Sequence, residues 1–294
     1  MTLLPAGFCY TKVTKIIIQV AKMLKAKSLL AALLFALALP AAAQSAALER
    51  IAASKSVRVC IWPDYFGISY RDPKTRQLSG IDIDLAKALG RDLGVDVEFV
   101  DSAFARLIDD VTQERCDIAM FAIGITPQRQ EKLRFTKPHL ASDIYAITSK
   151  SNRRIRQWSD IDQPGVVVAV ARGTLHEPVM KARLKAATLR VLDTPHARER
   201  EVEAGRADVF MTDFPFSLRM LRTTDWARLI KPEGSYHMTA YGWAMRPGDD
   251  RWHARVEDFL GRAKRSGELK AYAERHGAKQ RIGDGVQQDV GVGM

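Results

Sequence analysis

The sequence predicts an α/β protein built from two similar lobes. Apolar, strand-like runs alternate with helical stretches, and the second half of the chain repeats the plan of the first. The halves also share a local pattern, because "ERCDIAMFAIG" and "GRADVFMTDFP" both place a basic residue, a small residue and an aspartate before an apolar run. Strands that alternate with helices of ten or more residues indicate parallel βαβ units. Asp117 and Asp208 occupy matching places, and we expect both to stabilise a helix–strand turn.

The first half contains three predicted strands and two helical stripes. The strands are "SVRVCIW" (56–62), "VDVEFV" (95–100) and "DIAMFAI" (117–123). One apolar stripe has helical spacing and ends at Gly94: Ile81, Leu85, Leu89 and Leu93. A second has the same spacing: Phe104, Leu107, Ile108 and Val111. Recurrence every three to four residues is typical of a helix with one buried face.

The second half continues the alternation. Its predicted strands are "GVVVAVARGT" (165–174), "ATLRVLDT" (187–194) and "ADVFMTD" (207–213), and "HAREREVEAG" (196–205) is a predicted polar helix. One amphipathic helix is predicted in "RWHARVEDFLGRAKRSGELKAYAERHG" (251–277). The tail 278–294 is rich in Gly, Gln and Asp, and we expect it to be disordered.

Residues 1–43 are predicted to be a signal peptide with an upstream extension. A basic stretch ending at Lys27 precedes the apolar run "SLLAALLFALALP" (28–40), and three alanines follow it as a cleavage site. The run is too short to span a bilayer, and Met23 is an alternative start for the signal. We therefore expect a mature chain from about Gln44, exported to the periplasm.

Charge and hydropathy limit the partners of the mature chain. The predicted signal region holds five lysines and no acidic residue, so its removal lowers the net charge from +11 to +6. Acidic and basic residues are interspersed in the remainder, which predicts no nucleic-acid partner. No second long apolar stretch and no lipid-carrying cysteine follow the signal, so no membrane anchor is predicted. We expect a soluble monomer with a small-molecule ligand.

Cys60 and Cys116 are the cysteines of the mature chain. They could pair in an oxidising compartment. However, Cys60 lies late in one predicted strand and Cys116 just before another, which would place them at opposite ends of neighbouring parallel strands. We therefore expect two buried free thiols.

Candidate binding residues follow the predicted strands. Arg129, Thr174 and Asp213 each lie just past a strand's carboxyl end, where open parallel sheets bind ligands. A guanidinium offers a fork to a carboxylate, and the helix opening after Gly173 presents backbone N–H groups to an anion. Asp213 would be a costly buried charge unless a cation paired with it. This set predicts a free α-amino acid in an interlobe cleft; the structural alternatives are a helix-starting arginine and two N-caps.

Aromatic residues fall near the same strand ends. Trp62 and Tyr65 follow the first strand, and Phe104 follows the second. These rings could flank a bound side chain, and packing in the core is the alternative. The six histidines (139, 176, 196, 237, 253 and 276) show no metal-ligand spacing, so neither a metal nor another cofactor is predicted.

Four segments together resemble the bacterial extracellular solute-binding proteins of family 3, which serve polar amino acid ABC transporters. "LSGIDIDLAKALGRDLGVDVEFV" resembles the family's G-[FI]-D-[IV]-D-L-A segment, and "AIGITPQRQEKLRFTKP" its S-x-S-[IV]-T-x-x-R…F-S-x-P segment. "GVVVAVARGT" resembles its V-G-V-x-x-G-[ST] turn, and "GRADVFMTDFP" its G-x-x-D-[AV]…D motif. The resemblance spans Val57 to Gly277.

The resemblance implies a type II periplasmic-binding-protein fold, with two Rossmann-like lobes joined by two hinge crossovers. Lobe 1 would comprise 46–141 and 239–277, and lobe 2 would comprise 142–238. By position, Arg129 matches the arginine that holds the ligand carboxylate, and Asp213 the acid that holds its ammonium group. The remaining matches are the turn that donates to the carboxylate and two pocket aromatics: Thr174, Leu175, Tyr65 and Phe104.

The chain departs from the family pattern at several of these positions. Ala122 and Gly124 stand where serines are common, and Leu175 replaces a frequent threonine, so the hydroxyl groups are lost. Trp62 stands where lysine- and arginine-type binders often carry an acid, which disfavours a cationic ligand side chain. His176 is unusual and would either face the pocket or lie exposed on a helix.

Three functions are compatible with these residues. The first is a periplasmic amino-acid receptor that closes by hinge motion and is read by an inner-membrane ABC permease. The second is an enzyme, because the resemblance extends to periplasmic cyclohexadienyl (arogenate/prephenate) dehydratases, for which Glu177, His176 or Asp213 would be the general acid. The third is a sensory module of the kind fused to membrane kinases, which the absence of a following transmembrane or signalling segment disfavours. The receptor is the preferred hypothesis.

Overall fold

The structure is a computed structural model that describes residues 45–194 and 196–277. The predicted signal region (1–43) and tail (278–294) lie outside the described residues. The helices are α1 (Ala46–Ser54), α2 (Ile81–Leu93), α3 (Leu107–Thr112), α4 (Pro127–Gln130), α5 (His176–Arg183), α6 (Ala197–Glu203), α7 (Phe214–Thr223), α8 (Asp250–Arg265) and α9 (Glu268–Arg275).

The strands are short and follow the order expected for alternating βαβ units. They are β1 (Ser56–Ile61), β2 (Asp64–Tyr65), β3 (Ser69–Arg71), β4 (Leu78–Ser79), β5 (Asp96–Asp101), β6 (Ile118–Gly124), β7 (Arg134–Phe135), β8 (Leu140–Ser142), β9 (Ile144–Ser149), β10 (Val167–Ala171), β11 (Thr188–Leu192), β12 (Val209–Asp213), β13 (Ala227–Ile230) and β14 (Thr239–Met245). Single 3₁₀ turns occupy Phe104–Arg106 and Trp158–Asp160.

The strands form two main sheets with the same plan. The first has the order β5-β1-β6-β14-β7, and β8 also pairs with β14. The second has the order β11-β10-β12-β9-β13. In each sheet three strands run parallel and the next runs antiparallel to the third. All seven residues of β6 are buried, as expected for a strand covered on both faces. The predicted α/β fold with two Rossmann-like lobes is therefore confirmed.

Asp117 and Asp208 play the matching structural roles predicted for them. The Asp117 carboxylate accepts from the backbone N–H of Arg58 at 2.7 Å, and that of Asp208 accepts from the N–H of Val167 at 2.9 Å. In return, the Asp117 N–H donates to the Arg58 carbonyl and the Asp208 N–H to the Val167 carbonyl. Each aspartate thus joins the start of one parallel strand to the chain entering the next.

The chain crosses between the sheets twice, and one buried carboxylate connects the two crossings. Strand β8 belongs to the first sheet and β9 to the second, so the first crossing lies at Asp143. The second lies between β13 and β14. Asp143 accepts from the N–H groups of Ile144, Tyr236 and His237 at 2.6–2.8 Å. With these crossings we propose the lobe limits given above: 46–141 with 239–277, and 142–238.

The C-terminal amphipathic segment forms two helices, whereas the sequence predicted one. Helix α8 ends at Arg265 and α9 begins at Glu268. Gly267 lies between them with φ of 80°, in the left-handed region that glycine adopts without a steric penalty. The apolar periodicity continues across this turn, which is why the pattern alone did not indicate the break.

Cys60 and Cys116 form a disulfide, so the prediction of free thiols was wrong. Strand β6 begins beside the second half of β1, with Val59 paired to Ile118 and Cys60 to Ala119. This stagger brings Cys116 close to Cys60 instead of placing it at the far end, and their Cα atoms are 5.5 Å apart. The sequence does not reveal the stagger between two strands.

The described part of the chain contains no helix with both the length and the apolar character needed to cross a bilayer.

Candidate functional site

A small cavity lies at the carboxyl ends of β6 and β12, between the two sheets. The ten residues predicted for the site all line it: Arg129, Asp213, Thr174, Leu175, Gly124, Ala122, Tyr65, Phe104, Trp62 and His176. Four further lining residues were not predicted: Arg198, Thr212, Phe216 and Tyr241. Because residues of both lobes contribute, the cavity depends on how the lobes meet.

Arg129 is held at the floor of the cavity with its charge buried. Thr126 caps the short helix α4 by accepting from the Arg129 N–H, and this turn directs the side chain back towards β6. The guanidinium donates to the Gly124 carbonyl at 2.8 Å and, in the other lobe, to the Gly173 carbonyl at 2.9 Å. Only 8% of the residue is exposed, and burial lowers its pKa to about 10, so it remains cationic at neutral pH. Two of its five N–H donors are used, which leaves three for a ligand.

The turn at Gly173 touches the opposite lobe. Gly173 has φ of 76°, and a Cβ there would lie 2.6 Å from the backbone of Ala105. Thr174 donates through its hydroxyl group to the Ala171 carbonyl at 2.7 Å, so this donor serves the turn. Helix α5 follows with Leu175 as its N-cap residue and no side-chain cap. At the start of α5 the Glu177 N–H donates to the Thr174 carbonyl at 3.3 Å and Pro178 has no N–H, so His176 supplies the backbone N–H that no side chain caps.

Ala122 and Gly124 act through their backbones, as expected for residues without hydroxyl groups. Ala122 has φ of 47°, which is rare for a residue with a Cβ. Its N–H donates to the buried Asp82 carboxylate at 2.7 Å, and the same carboxylate accepts from the Trp243 indole at 2.9 Å. These bonds fix the carboxyl end of strand β6, where the Gly124 carbonyl accepts from Arg129.

Among the described residues that line the cavity, Asp213 is the only acidic one. It caps helix α7 by accepting from the Phe216 N–H at 3.0 Å. Its other carboxylate oxygen accepts from the Tyr65 hydroxyl of the opposite lobe and, at 3.4 Å, from the Tyr241 hydroxyl. Burial raises the pKa of Asp213 to about 7, which outweighs the lowering effect of these bonds. The group is thus poised to ionise when a cation approaches.

Asp213 should make the ligand-free protein lose stability as the pH rises. The unfolded chain releases this proton near pH 4 and the folded chain near pH 7, so folding is penalised progressively between these values. The penalty reaches as much as about 4 kcal/mol above pH 7. Asp213→Asn retains the helix cap and cannot ionise. Urea unfolding from pH 4 to 8 measures the free energy of unfolding of both proteins. That of the variant should rise relative to that of the wild type as the pH rises. A difference that does not change with pH would contradict the raised pKa.

Aromatic rings form one wall of the cavity. The Trp62 ring lies 5.2 Å from Tyr65 and 5.3 Å from Phe104 between centroids, and it stacks on Phe216 at 6.1 Å. Phe104 also lies under the Arg129 guanidinium at 5.5 Å. Because Trp62, Tyr65 and Phe104 come from lobe 1 and Phe216 from lobe 2, this wall closes only when the lobes meet.

His176 and Arg198 form the basic end of the cavity. His176 is the first residue of α5 and is 6% exposed, and neither of its ring nitrogens has a hydrogen-bond partner among the described residues. Burial, followed by the charge of Arg198, lowers the pKa of His176 to about 3, so the imidazole is neutral. Arg198 donates to the Met211 carbonyl and to Glu199, each at 2.9 Å.

An ion-pair cluster joins the lobes beside the cavity. The Asp64 carboxylate of β2 forms an ion pair with Arg219 of α7 at 2.6 Å. The His196 ring lies 3.4 Å from the second carboxylate oxygen of Asp64. Burial raises the pKa of Asp64, and the two basic partners act against that rise. With the Arg129–Gly173 and Tyr65–Asp213 contacts, this cluster holds the lobes in a closed arrangement. No three His, Cys, Asp or Glu residues within 45–194 and 196–277 are placed to hold a metal ion.

Comparison with known proteins gives this site a context. The family described as "Bacterial extracellular solute-binding proteins, family 3" matches residues 57–279. The cyclohexadienyl dehydratase of Pseudomonas aeruginosa is 30% identical over 233 residues, which cover 79% of this chain and 86% of that protein. The L-cystine-binding protein TcyJ of Escherichia coli K12 is 23% identical over 199 residues, covering 68% of this chain and 74% of that one.

A solved structure is similar over most of its length. The ancestral amino acid-binding protein AncCDT-1, a precursor of cyclohexadienyl dehydratase, superposes with a TM-score of 0.71 at 31% sequence identity. The match covers 78% of this chain and 98% of that one. A binding protein and an enzyme are therefore both among the proteins that resemble this chain.

Proposed function

The chain belongs to the bacterial extracellular solute-binding proteins of family 3, and from this premise we propose that it is the periplasmic receptor of an ABC importer for a free amino acid or similar small zwitterion. The observation that carries the proposal is the placement of Arg129 and Asp213. They are buried in one cavity, and each comes from a different lobe. A buried cation and a buried acid in one small cavity match the two charged groups shared by all α-amino acids.

In the proposed mechanism the ligand bridges the lobes. Its carboxylate accepts from the Arg129 guanidinium and from the His176 N–H at the start of α5. Its ammonium group pairs with Asp213, which ionises because a cation now compensates its burial. Contacts with both lobes exist only in the closed state, so the ligand shifts the population towards closure. The permease then recognises the closed shape.

One further observation supports export to the periplasm. The disulfide between Cys60 and Cys116 suits an oxidising compartment. We propose that the exported protein acts as a monomer that is not anchored in the membrane.

Thermal unfolding of residues 44–294 tests the receptor hypothesis directly. The melting temperature is measured with each of the twenty amino acids, arogenate and prephenate. A ligand at 100 times its Kd should stabilise the protein by about 2.7 kcal/mol, so at least one amino acid should give a clear shift. The absence of a shift with every α-amino acid would refute the Arg129–Asp213 pair as an amino-acid site.

A second candidate is a dehydratase acting on arogenate or prephenate. The specific observation in its favour is that Asp213 is an acid with a pKa of about 7 inside a closed, aromatic-walled cavity. It could protonate the leaving hydroxyl group of a cyclohexadienyl ring, so that water and CO₂ depart and the ring becomes aromatic. Glu177 suits this role less well, because it accepts from the Gly173 N–H and does not line the cavity. Turnover of either substrate that Asp213→Asn abolishes would favour the enzyme.

A further inference from the structure

One polar side chain in the cavity has no hydrogen-bond partner in the part of the chain that the structure describes. His176 is more than nine-tenths buried, and neither of its ring nitrogens is bonded to any described residue. The Thr212 carbonyl faces the ring but lies outside hydrogen-bonding geometry. A neutral imidazole has one N–H donor and one acceptor nitrogen. If the ring shifts slightly, its N–H can donate to the Thr212 carbonyl. The other ring nitrogen is an acceptor, which a carbonyl cannot satisfy, so it is left for a ligand.

The charges around His176 limit what that ligand group can be. Arg198 and Arg129 both act on the imidazole as positive charges. The acid that lines the cavity, Asp213, already accepts from Tyr65, and its remaining role is to meet the ligand ammonium. A second cation on the ligand would therefore lie beside two arginines, and the neighbouring acid, Glu199, is already paired with Arg198 at 2.9 Å. A group that donates to the acceptor nitrogen must be neutral.

We propose that His176 is a specificity-determining residue that accepts a hydrogen bond from the side chain of the bound amino acid, and that this side chain is neutral and carries an amide N–H or hydroxyl donor. This inference rests on the proposed receptor function. Trp62 and Phe216 give the remainder of the side chain an apolar, flat surface to lie against. Ammonium and guanidinium side chains are excluded by charge, and purely apolar side chains leave the imidazole unsatisfied.

The test compares amino acids of similar shape with and without the donor. Calorimetric titration of the wild-type protein uses three pairs: glutamine and methionine, tyrosine and phenylalanine, threonine and valine. In at least one pair the member with the donor should bind at least about tenfold more tightly, and arginine and lysine should bind about 100-fold more weakly than the best ligand. If arginine, lysine or an apolar amino acid is the tightest ligand, this inference is wrong and the receptor function stands.

His176→Phe supplies the matched variant, because it fills the same space without nitrogen atoms. The variant should bind the best ligand with an affinity lower by about tenfold or more. The difference in affinity between the two members of that ligand's pair should fall to about twofold. His176→Asn, which restores an acceptor oxygen, should recover part of the difference. An unchanged difference in His176→Phe would overturn the inference. If His176→Phe does not fold, the ranking in the wild type and the His176→Asn result decide. Failure of every α-amino acid to bind the wild type would overturn both this inference and the Arg129–Asp213 pair as an amino-acid site.

Discussion

Replacement of Arg129 by Ala is expected to abolish amino-acid binding at ordinary ligand concentrations. The guanidinium is buried, and it bridges the Gly124 and Gly173 carbonyls of the two lobes in addition to its proposed contact with the ligand carboxylate. Loss of one partner of a buried, hydrogen-bonded charge pair costs about 2–5 kcal/mol, which weakens Kd by about 30-fold to several thousand-fold. Isothermal titration with the ligand identified in the melting screen measures the effect.

Two further variants separate charge from geometry at this position. Arg129→Lys retains the positive charge but lacks the planar fork that reaches two carbonyls and a carboxylate in different directions, so its affinity should fall between those of the wild type and Arg129→Ala. Arg153→Ala removes an exposed arginine from lobe 2 and should leave Kd unchanged. Binding by Arg129→Ala within about threefold of the wild type would show that the carboxylate is held elsewhere.

Removal of the disulfide should produce the largest loss of stability. Cys60 and Cys116 are both buried and close a loop with a sequence separation of 56 residues. The loss of loop-closure entropy from the unfolded chain corresponds to about 4 kcal/mol for a loop of this length. We therefore expect the double variant Cys60→Ala/Cys116→Ala to unfold at a clearly lower guanidinium concentration, measured without ligand at pH 7.

Reduction provides the matched control for this variant. The wild type in reductant should shift towards the midpoint of the double variant, whereas the variant itself should not respond to reductant. Neither cysteine lines the cavity, so ligand affinity should be preserved under conditions in which both proteins are folded. Equal midpoints for the wild type and the variant would mean that the bridge does not form in the protein.

Local sequence patterns were enough to predict the α/β class, the two-lobe plan and the residues at the parallel strand ends. The reason is local: apolar periodicity and glycine placement identify βαβ units, and the carboxyl ends of parallel strands meet at one edge of a sheet. Arg129, Thr174 and Asp213 were found in this way, and the lobe repeat placed Asp117 and Asp208 in matching turns.

Tertiary structure alone decided the features that depend on distant segments. Tyr241 lies on the antiparallel strand β14, which the sequence pattern did not identify as a strand. Arg198 lies in a segment predicted as a polar helix, and only the fold shows that it is buried against Phe216. The stagger of β6 along β1 decided the disulfide. The raised pKa of Asp213 and the unsatisfied ring of His176 likewise arise from burial, which is set by packing between residues far apart in the chain.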